Sequence, residues 1–148
     1  PGFLNIVKRQ PVGVVGQIVP WNFPLMFCSW KLGPAMAAGN TVVMKPSEIT
    51  PLTTLRMVEL MREVVPAGVL NTISGDHDLG PRMTSHPGFD KISFTGSTDT
   101  GKAVMRSAAN GLARLARNPL TRALPRGAFQ GWAHRAPLVA RAAARLGR

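Results

Sequence analysis

Two short runs place polar side chains where an apolar stretch ends. They are residues 42–48 (VVMKPSE) and residues 92–98 (ISFTGST). Each run begins strand-like and breaks into a polar loop just before a segment with helical spacing. Open α/β sheets hold nucleotides at this position, outside the carboxyl ends of their strands. Both runs therefore indicate a cofactor site.

Lys45 and Glu48 lie three residues apart around Pro46. A carboxylate at the mouth of a sheet can accept hydrogen bonds from the two hydroxyls of a ribose, and it repels a 2′-phosphate. This pair therefore favours NAD as the cofactor, with NADP disfavoured. The alternative is a solvated surface ion pair that contributes less than about 1 kcal/mol. Without other context, that alternative is the favoured one.

The second run opens the glycine-containing turn GSTDTG at 96–101. Its glycines permit a close approach of backbone to ligand, and the N-terminus of a helix capped by Ser97 or Thr98 could bind an anion. Thr98 stands where the usual G-x-G-x-x-G pattern has its second glycine, which weakens the signal. A plain turn capped by Ser97 explains the spacing equally well.

A third candidate is the loop PWNFP at 20–24, where two prolines flank an amide side chain. The Asn22 amide donates hydrogen bonds without carrying charge, so it could stabilise an oxyanion. The alternative is that Asn22 caps a helix beginning at Pro24, which the spacing alone favours. Trp21, taken alone, is more often a packing residue than a ligand contact.

Alternating strand and helix patterns position these residues. We predict strands at 12–19, 41–45, 69–74 and 91–95, with helices at 25–38, 51–65, 79–85 and 98–109. Thr50 is the expected N-cap of the second helix, and Pro51 its first residue. Strands separated by helices form parallel sheets. The predicted fold class is α/β, a partial doubly wound (Rossmann-like) parallel sheet of about four strands.

Composition divides the 148 residues into a body and a tail. The net charge of +11 suggests nucleic acid, but before residue 110 ten Lys and Arg against seven acids leave only +3. Residues 111–148 carry eight arginines and no acid, and 18 of these 38 residues are Ala or Arg. We therefore expect residues 1–110 to form a partial NAD(P)-binding domain, with 111–148 as a basic, irregular or helical tail.

One cysteine, Cys28, leaves no disulfide framework and no Cys/His cluster for a metal. A reducing compartment, the cytoplasm, is the default expectation. Residues 10–30 carry no charge, but three prolines and several polar residues would break a membrane-spanning helix, so no membrane contact is expected.

Several motifs in order resemble the aldehyde dehydrogenase superfamily: PVGVV at 11–15, IVPWNFP at 18–24, KLGPA at 31–35, AGNTVV at 38–43, KPSE at 45–48, and FTGST at 94–98 with Gly101. That family oxidises aldehydes to carboxylates with NAD(P) through a cysteine thiohemiacetal. The resemblance implies that Asn22 stabilises the oxyanion, that Lys45 and Glu48 hold the adenosine ribose, and that Gly96 and Ser97 meet the pyrophosphate. It implies neighbouring cofactor contacts for Trp21 and Ser47, and outweighs the structural alternatives for Asn22, Lys45 and Glu48.

The resemblance covers residues 3–110 and lacks two motifs of the family, the Glu-Leu-Gly-Gly segment with its general base and the cysteine nucleophile. Cys28 does not match the nucleophile's position and lies on an apolar helix stripe, where a thiol is buried and unreactive. We therefore expect a truncated fragment that is inactive alone, whose parent binds the aldehyde. An unpaired sheet edge predicts self-association or docking onto an intact homologue.

The tail has two explanations. Ala, Arg, Gly and Pro are the products of GC-rich codons, so a shifted reading frame would generate this composition. The alternative is a non-catalytic nucleotide-binding module whose basic arm, with Arg141, Arg145 and Arg148 on one helical face, binds nucleic acid or anionic membrane. The frame shift is favoured, because the tail shows no sustained periodicity, and specific nucleic-acid binding is not expected.

Overall fold

A computed structural model describes residues 2–8 and 10–116, and within them four strands alternate with four helices. In chain order the elements are β1 (Val14–Ile18), α1 (Pro24–Ala37), β2 (Thr41–Lys45), α2 (Leu52–Met61), β3 (Leu70–Thr72), α3 (Leu79–Ser85), β4 (Lys91–Phe94) and α4 (Thr98–Ala116). The predicted α/β class is confirmed. The bounds of β2 and α3 are those predicted from the sequence, and the other strands are shorter by one to three residues.

The four strands form one parallel sheet in the order β3-β2-β1-β4. The chain moves outward from β1 through β2 to β3, then crosses back to place β4 on the other side of β1. Val15 consequently pairs with Val42 on one side and with Lys91 on the other. A reversal of this kind opens a crevice at the carboxyl ends of the two strands that flank it, here β1 and β4.

Helices cover both faces of the sheet, so the arrangement is doubly wound. On one face α1 and α2 pack on β2 and β3, over a core that includes Val42, Met44 and Val58. On the other face α3 packs on β1 and on α4, over a core that includes Val43, Met83 and Phe89. The alternation of Val42, Val43 and Met44 between the two cores is the two-residue period of a strand buried on both sides.

The start of β1 differs from the predicted residue 12 for a local reason. Gly13 has a φ of 127°, which strand residues do not adopt. The amides of Val12 and Gly13 instead donate to Asn40 Oδ1, at 2.7 and 3.1 Å. Asn40 also donates from Nδ2 to the Ala35 carbonyl at 2.9 Å. This one buried amide thus ties the entry of β1 to the end of α1.

The predicted features of α2 were partly wrong. The helix begins at Leu52, its N-cap position is Pro51, and no side chain caps it. Thr50 donates its hydroxyl to the Trp21 carbonyl instead. Leu52 is exposed, and Thr54 is buried beside Val58. The reason is a specific contact: Thr54 Oγ1 lies 3.0 Å from Cys28 Sγ of α1, a hydrogen bond that makes a polar residue acceptable there.

The last helix also departs from its prediction. We expected it to end at residue 109, where the composition changes, but α4 continues to Ala116. Alanine, arginine and leucine all favour helix, so a change toward these residues does not end one. The rest of the predicted tail lies outside the described residues.

Candidate functional site at the sheet's carboxyl edge

Three loops meet at the carboxyl edge of the sheet, following β1, β2 and β4. The Val19 amide donates to the Lys45 carbonyl at 3.2 Å, and the Thr95 amide donates to the Ile18 carbonyl at 3.1 Å. The Thr50 hydroxyl reaches the Trp21 carbonyl at 3.3 Å. The structure therefore brings the loops that carry all seven predicted site residues to one edge.

Lys45 and Glu48 combine a buried ammonium with an exposed carboxylate. The Lys45 side chain is 6% exposed and that of Glu48 is 51% exposed, with 3.7 Å between Nζ and Oε2. Lys45 Nζ also donates to the Pro46 carbonyl at 3.4 Å. A solvated surface pair would leave both groups in water, so the alternative weighed from the sequence is wrong for Lys45. A cation held in place beneath a carboxylate can orient it toward the edge.

Gly96 and Ser97 form the exposed turn between β4 and α4. Ser97 Oγ accepts a hydrogen bond from the Thr100 amide at 3.3 Å and donates to Thr100 Oγ1 at 2.8 Å. Ser97 is thus the N-cap of α4, as one of the two sequence alternatives held. This cap occupies the third amide of the helix, and the preceding first-turn amides have no partner within the helix. The positive end of α4 therefore faces the same edge as Glu48.

Asn22 and Trp21 lie exposed on the loop after β1. The N-cap position of α1 is Phe23, and no side chain caps this helix. The capping role considered for Asn22 is therefore wrong. Trp21 is 59% exposed, so the packing role considered for it is not supported either. Both side chains are available at the crevice.

Ser47 lies between Lys45 and Glu48, half-buried, and its Oγ accepts a hydrogen bond from the Ile49 amide at 3.4 Å.

Sequence reasoning missed a polar cluster between α1 and the β1–β4 pair. Lys31 Nζ donates to Ser93 Oγ at 2.8 Å, and Gln17 Nε2 donates to the Lys31 carbonyl at 2.9 Å. Burial lowers the pKa of the Lys31 ammonium. Gln17 Oε1 is buried and has no hydrogen-bond partner among the described residues. The cluster lines a cavity of about 460 Å³. Its signal in the sequence was a glutamine in an otherwise apolar strand.

Cys28 is fully buried, and its thiol contacts Thr54 as described above. Burial, the larger effect, raises its pKa, and the hydrogen bond from Thr54 only partly offsets this. A raised pKa keeps the sulfur protonated and unreactive at neutral pH. The structure confirms the predicted burial of this cysteine.

Neither a metal site nor a membrane span emerges from the described part of the chain. Residues 2–8 and 10–116 contain no group of three His, Cys, Asp or Glu side chains placed to hold a metal ion. Within the same ranges no helix combines the length and apolar character needed to cross a bilayer.

A doubly wound parallel sheet with a strand-order reversal, an acidic residue after one strand and a capped helix N-terminus after another define a dinucleotide-binding α/β domain. Comparison with known proteins gives the family. The family model for the aldehyde dehydrogenase family matches residues 1–118. The chain belongs to this family.

Individual relatives agree with this assignment. Betaine aldehyde dehydrogenase from Bacillus subtilis is 52% identical over 112 residues, which are 74% of this chain and 23% of that enzyme. The 2-hydroxymuconic semialdehyde dehydrogenase from Pseudomonas sp. is 52% identical over 114 residues, 75% of this chain and 24% of that enzyme. The chain thus spans about a quarter of the length of these curated relatives.

Among solved structures, the betaine aldehyde dehydrogenase from Staphylococcus aureus in complex with NAD+ is similar to this chain. It is 54% identical, with a TM-score of 0.67, over 69% of this chain and 21% of that one. The Rossmann-like arrangement expected from the sequence is therefore confirmed by both fold and family.

Proposed function

We propose that these residues form the cofactor-binding part of an NAD-dependent aldehyde dehydrogenase. The observation that carries the proposal is the buried Lys45 ammonium 3.7 Å from the exposed Glu48 carboxylate, at the edge where α4 begins. In this assignment Glu48 accepts the ribose hydroxyls and Lys45 orients it. Gly96 and Ser97 bring the positive end of α4 to the pyrophosphate. Trp21 and Ser47, on the adjacent loops, are neighbouring cofactor contacts.

The residues at this edge fit a dinucleotide without a 2′-phosphate. Glu48 is acidic and half-exposed, and the cation nearest to it is the buried Lys45. A 2′-phosphate would meet the carboxylate first and be repelled. NAD is therefore the proposed cofactor, and it would supply the hydride acceptor. Asn22, with its exposed amide beside the crevice, is the proposed donor to the oxyanion of the aldehyde adduct.

Ligand-observed NMR by saturation transfer tests the cofactor assignment, because it detects weak binding. We expect NAD to bind weakly, since in the described part of the chain β4 pairs with β1 alone, and NADP to bind more weakly still. Glu48→Gln should weaken NAD binding about fivefold and narrow the preference over NADP. Glu59→Gln, which removes an exposed carboxylate from α2, is the matched control and should change neither. Equal binding of NAD and NADP would contradict the proposal.

These 148 residues by themselves are proposed not to oxidise aldehydes. Their sequence has no match to the family's cysteine nucleophile or to its general base, and Cys28 is buried and protonated. Purified chain incubated with NAD and a panel of aliphatic and aromatic aldehydes should form no NADH above the buffer rate. Steady NADH formation that scales with the concentration of the chain would refute this. The aldehyde is proposed to bind to the longer enzyme.

The shifted reading frame remains the proposal for the Arg-rich tail. Its support is that the family match ends at residue 118, close to where acids and lysines cease. Translating the encoding DNA beyond codon 110 in the other two frames should yield Glu-Leu-Gly-Gly within a few dozen codons. If neither frame does, the basic arm becomes the better explanation, and deleting 111–148 should then abolish binding to heparin.

Two further assignments accompany this function. The single, buried thiol fits a reducing compartment, so we propose the cytoplasm as the location. The side of β4 that pairs with no strand within residues 2–8 and 10–116 is the proposed route of self-association. Sedimentation velocity over a hundredfold concentration range should show a rising mean mass, and a constant monomer mass would contradict it.

A further inference from the structure

Phe94, the last residue of β4, lies against both glycines of the following turn. A Cβ atom added to Gly96 would overlap Phe94 Cζ, and it would lie 3.1 and 3.2 Å from Cε2 and Cε1. A Cβ atom added to Gly101 would lie 3.7 Å from Cε1 and 3.8 Å from Cδ1, which is ordinary contact. One ring therefore touches the start of the turn and the first turn of α4.

The backbone at Gly96 does not itself require glycine. Among the described residues, the glycines with positive φ are Gly13, Gly39 and Gly68. Gly96 is outside that group, so its conformation is open to an L-residue. A side chain at this position would instead overlap the end of the Phe94 ring, which would have to move.

We propose that Phe94 is a positioning residue for the cofactor turn, and that glycine is required at 96 because this ring occupies the space a side chain would need. The inference deepens the proposed function and rests on it for its binding readout. It reassigns the purpose of Gly96. The sequence pattern attributed that glycine to the approach of a pyrophosphate, whereas the structure attributes it to packing beneath the turn.

Two backbone hydrogen bonds fix the chain before and after the Phe94 ring. The Thr95 amide donates to the Ile18 carbonyl, which fixes the chain on the β1 side of the ring. The Gly101 amide donates to the Ser97 carbonyl at 2.9 Å, so the first helical bond of α4 begins directly above it. The ring fills the space between these two hydrogen-bonded segments, so the first backbone amides of α4 keep a fixed orientation. A smaller side chain at 94 would let the turn move into the space that the ring now fills, and the orientation of those amides would change.

A double-mutant cycle separates this role from the alternatives. The proteins are the 148-residue chain, Gly96→Ala, Phe94→Leu and the double variant, with the urea unfolding midpoint and NAD affinity by saturation-transfer NMR as readouts. In the Phe94 background Gly96→Ala should lower the midpoint and weaken NAD binding about fivefold. In the Phe94→Leu background, where Cζ is gone, Gly96→Ala should weaken NAD binding less than about twofold. Gly101→Ala is the matched glycine control and should weaken NAD less than about twofold.

A second control distinguishes positioning from general destabilisation. Ile92→Val removes a methyl group from the same face of β4, away from the turn, and should lower the midpoint without changing NAD affinity. Phe94→Leu should lower both. The inference is overturned if Gly96→Ala lowers NAD affinity and the urea midpoint equally in both backgrounds. It is also overturned if Ile92→Val weakens NAD binding as much as Phe94→Leu does. If no protein binds NAD, the proposed function fails, and the coupling between 94 and 96 is then decided by the urea midpoints alone.

Discussion

The strands β2 and β4 end in similar polar turns but are supported in different ways. All five residues of β2 are buried, and the strand pairs with β1 on one side and β3 on the other. In β4, Lys91 is exposed and the other three residues are only partly buried, with β1 as its pairing partner. Lys45 is thus positioned by the core itself, whereas the Gly96 turn depends on one aromatic ring. The same kind of polar turn can be positioned by a whole layer of buried core residues or by a single side-chain contact.

The faces of the two strands explain the difference. On the α1 face, β2 contributes Val42 and Met44 to an apolar core. On the same face β4 contributes Ser93, which binds Lys31, and the neighbouring strand contributes Gln17. Apolar side chains gain free energy by burial, while these polar ones gain little beyond their hydrogen bonds. The sheet is therefore firm at β2 and weaker at β4.

The largest predicted contrast comes from truncating one core side chain in each strand. Met44→Ala should lower the free energy of unfolding by about 2–5 kcal/mol, because Met44 is fully buried and the space cannot collapse. Ile92→Ala should lower it by less than about 2 kcal/mol, since Ile92 is partly exposed. Urea unfolding followed by circular dichroism measures both. Equal losses would show that β4 is as firmly held as β2.

A smaller contrast tests how β1 is anchored on its two sides. Asn40→Ala removes the three hydrogen bonds of a buried side chain that hold β1 to α1, and we expect a loss of about 2–3 kcal/mol. Asp90→Ala removes the bond from the Val14 amide to Asp90 Oδ2 on the β4 side, with an expected loss of about 1 kcal/mol. Hydrogen exchange of the Gly13 and Val14 amides should accelerate in the respective variant. If Asp90→Ala lowers the free energy of unfolding more than Asn40→Ala does, β1 is anchored mainly on its β4 side, and the prediction is wrong.

The smallest expected effect is an alkaline pH dependence of opposite sign on the two sides. Burial raises the pKa of Cys28, which lies over β2, so the unfolded chain loses its thiol proton first and stability falls as pH rises above the usual thiol pKa. Burial lowers the pKa of Lys31, which lies beside β4, so stability rises with pH between that lowered value and the usual lysine pKa.

Unfolding midpoints between neutral and strongly alkaline pH separate the two contributions. Cys28→Ala should remove the fall, and Lys31→Met should remove the rise. The comparison is of slopes within each variant, so a change in overall stability does not affect it. A pH profile that neither substitution alters would mean that other groups dominate.

The site was partly predictable because its residues are local features. Lys45 ends a strand, and Glu48, Gly96 and Ser97 follow strands, that the apolar runs before them identify, and the structure places all four at the carboxyl ends of those strands. Spacing could not show which role Lys45 and Glu48 have, because a surface ion pair and a ribose site can use the same two residue types at the same spacing. Burial of Lys45 argues against a solvated surface pair, and burial depends on what packs above β2. The error at Thr50 has the same origin, since its hydroxyl partner, Trp21, is 29 residues away.

By itself the sequence determined where strands and helices form, down to the bounds of β2, because Gly39 and Pro46 punctuate a β-branched run. Those signals act over a few residues. Only the tertiary structure decided that β4 lies beside β1, that the Lys45 side chain is buried, and that Gln17 Oε1 finds no hydrogen-bond partner among the described residues. These features depend on residues that the chain brings together only on folding, through the packing of whole layers. No pattern of neighbouring residues encodes them.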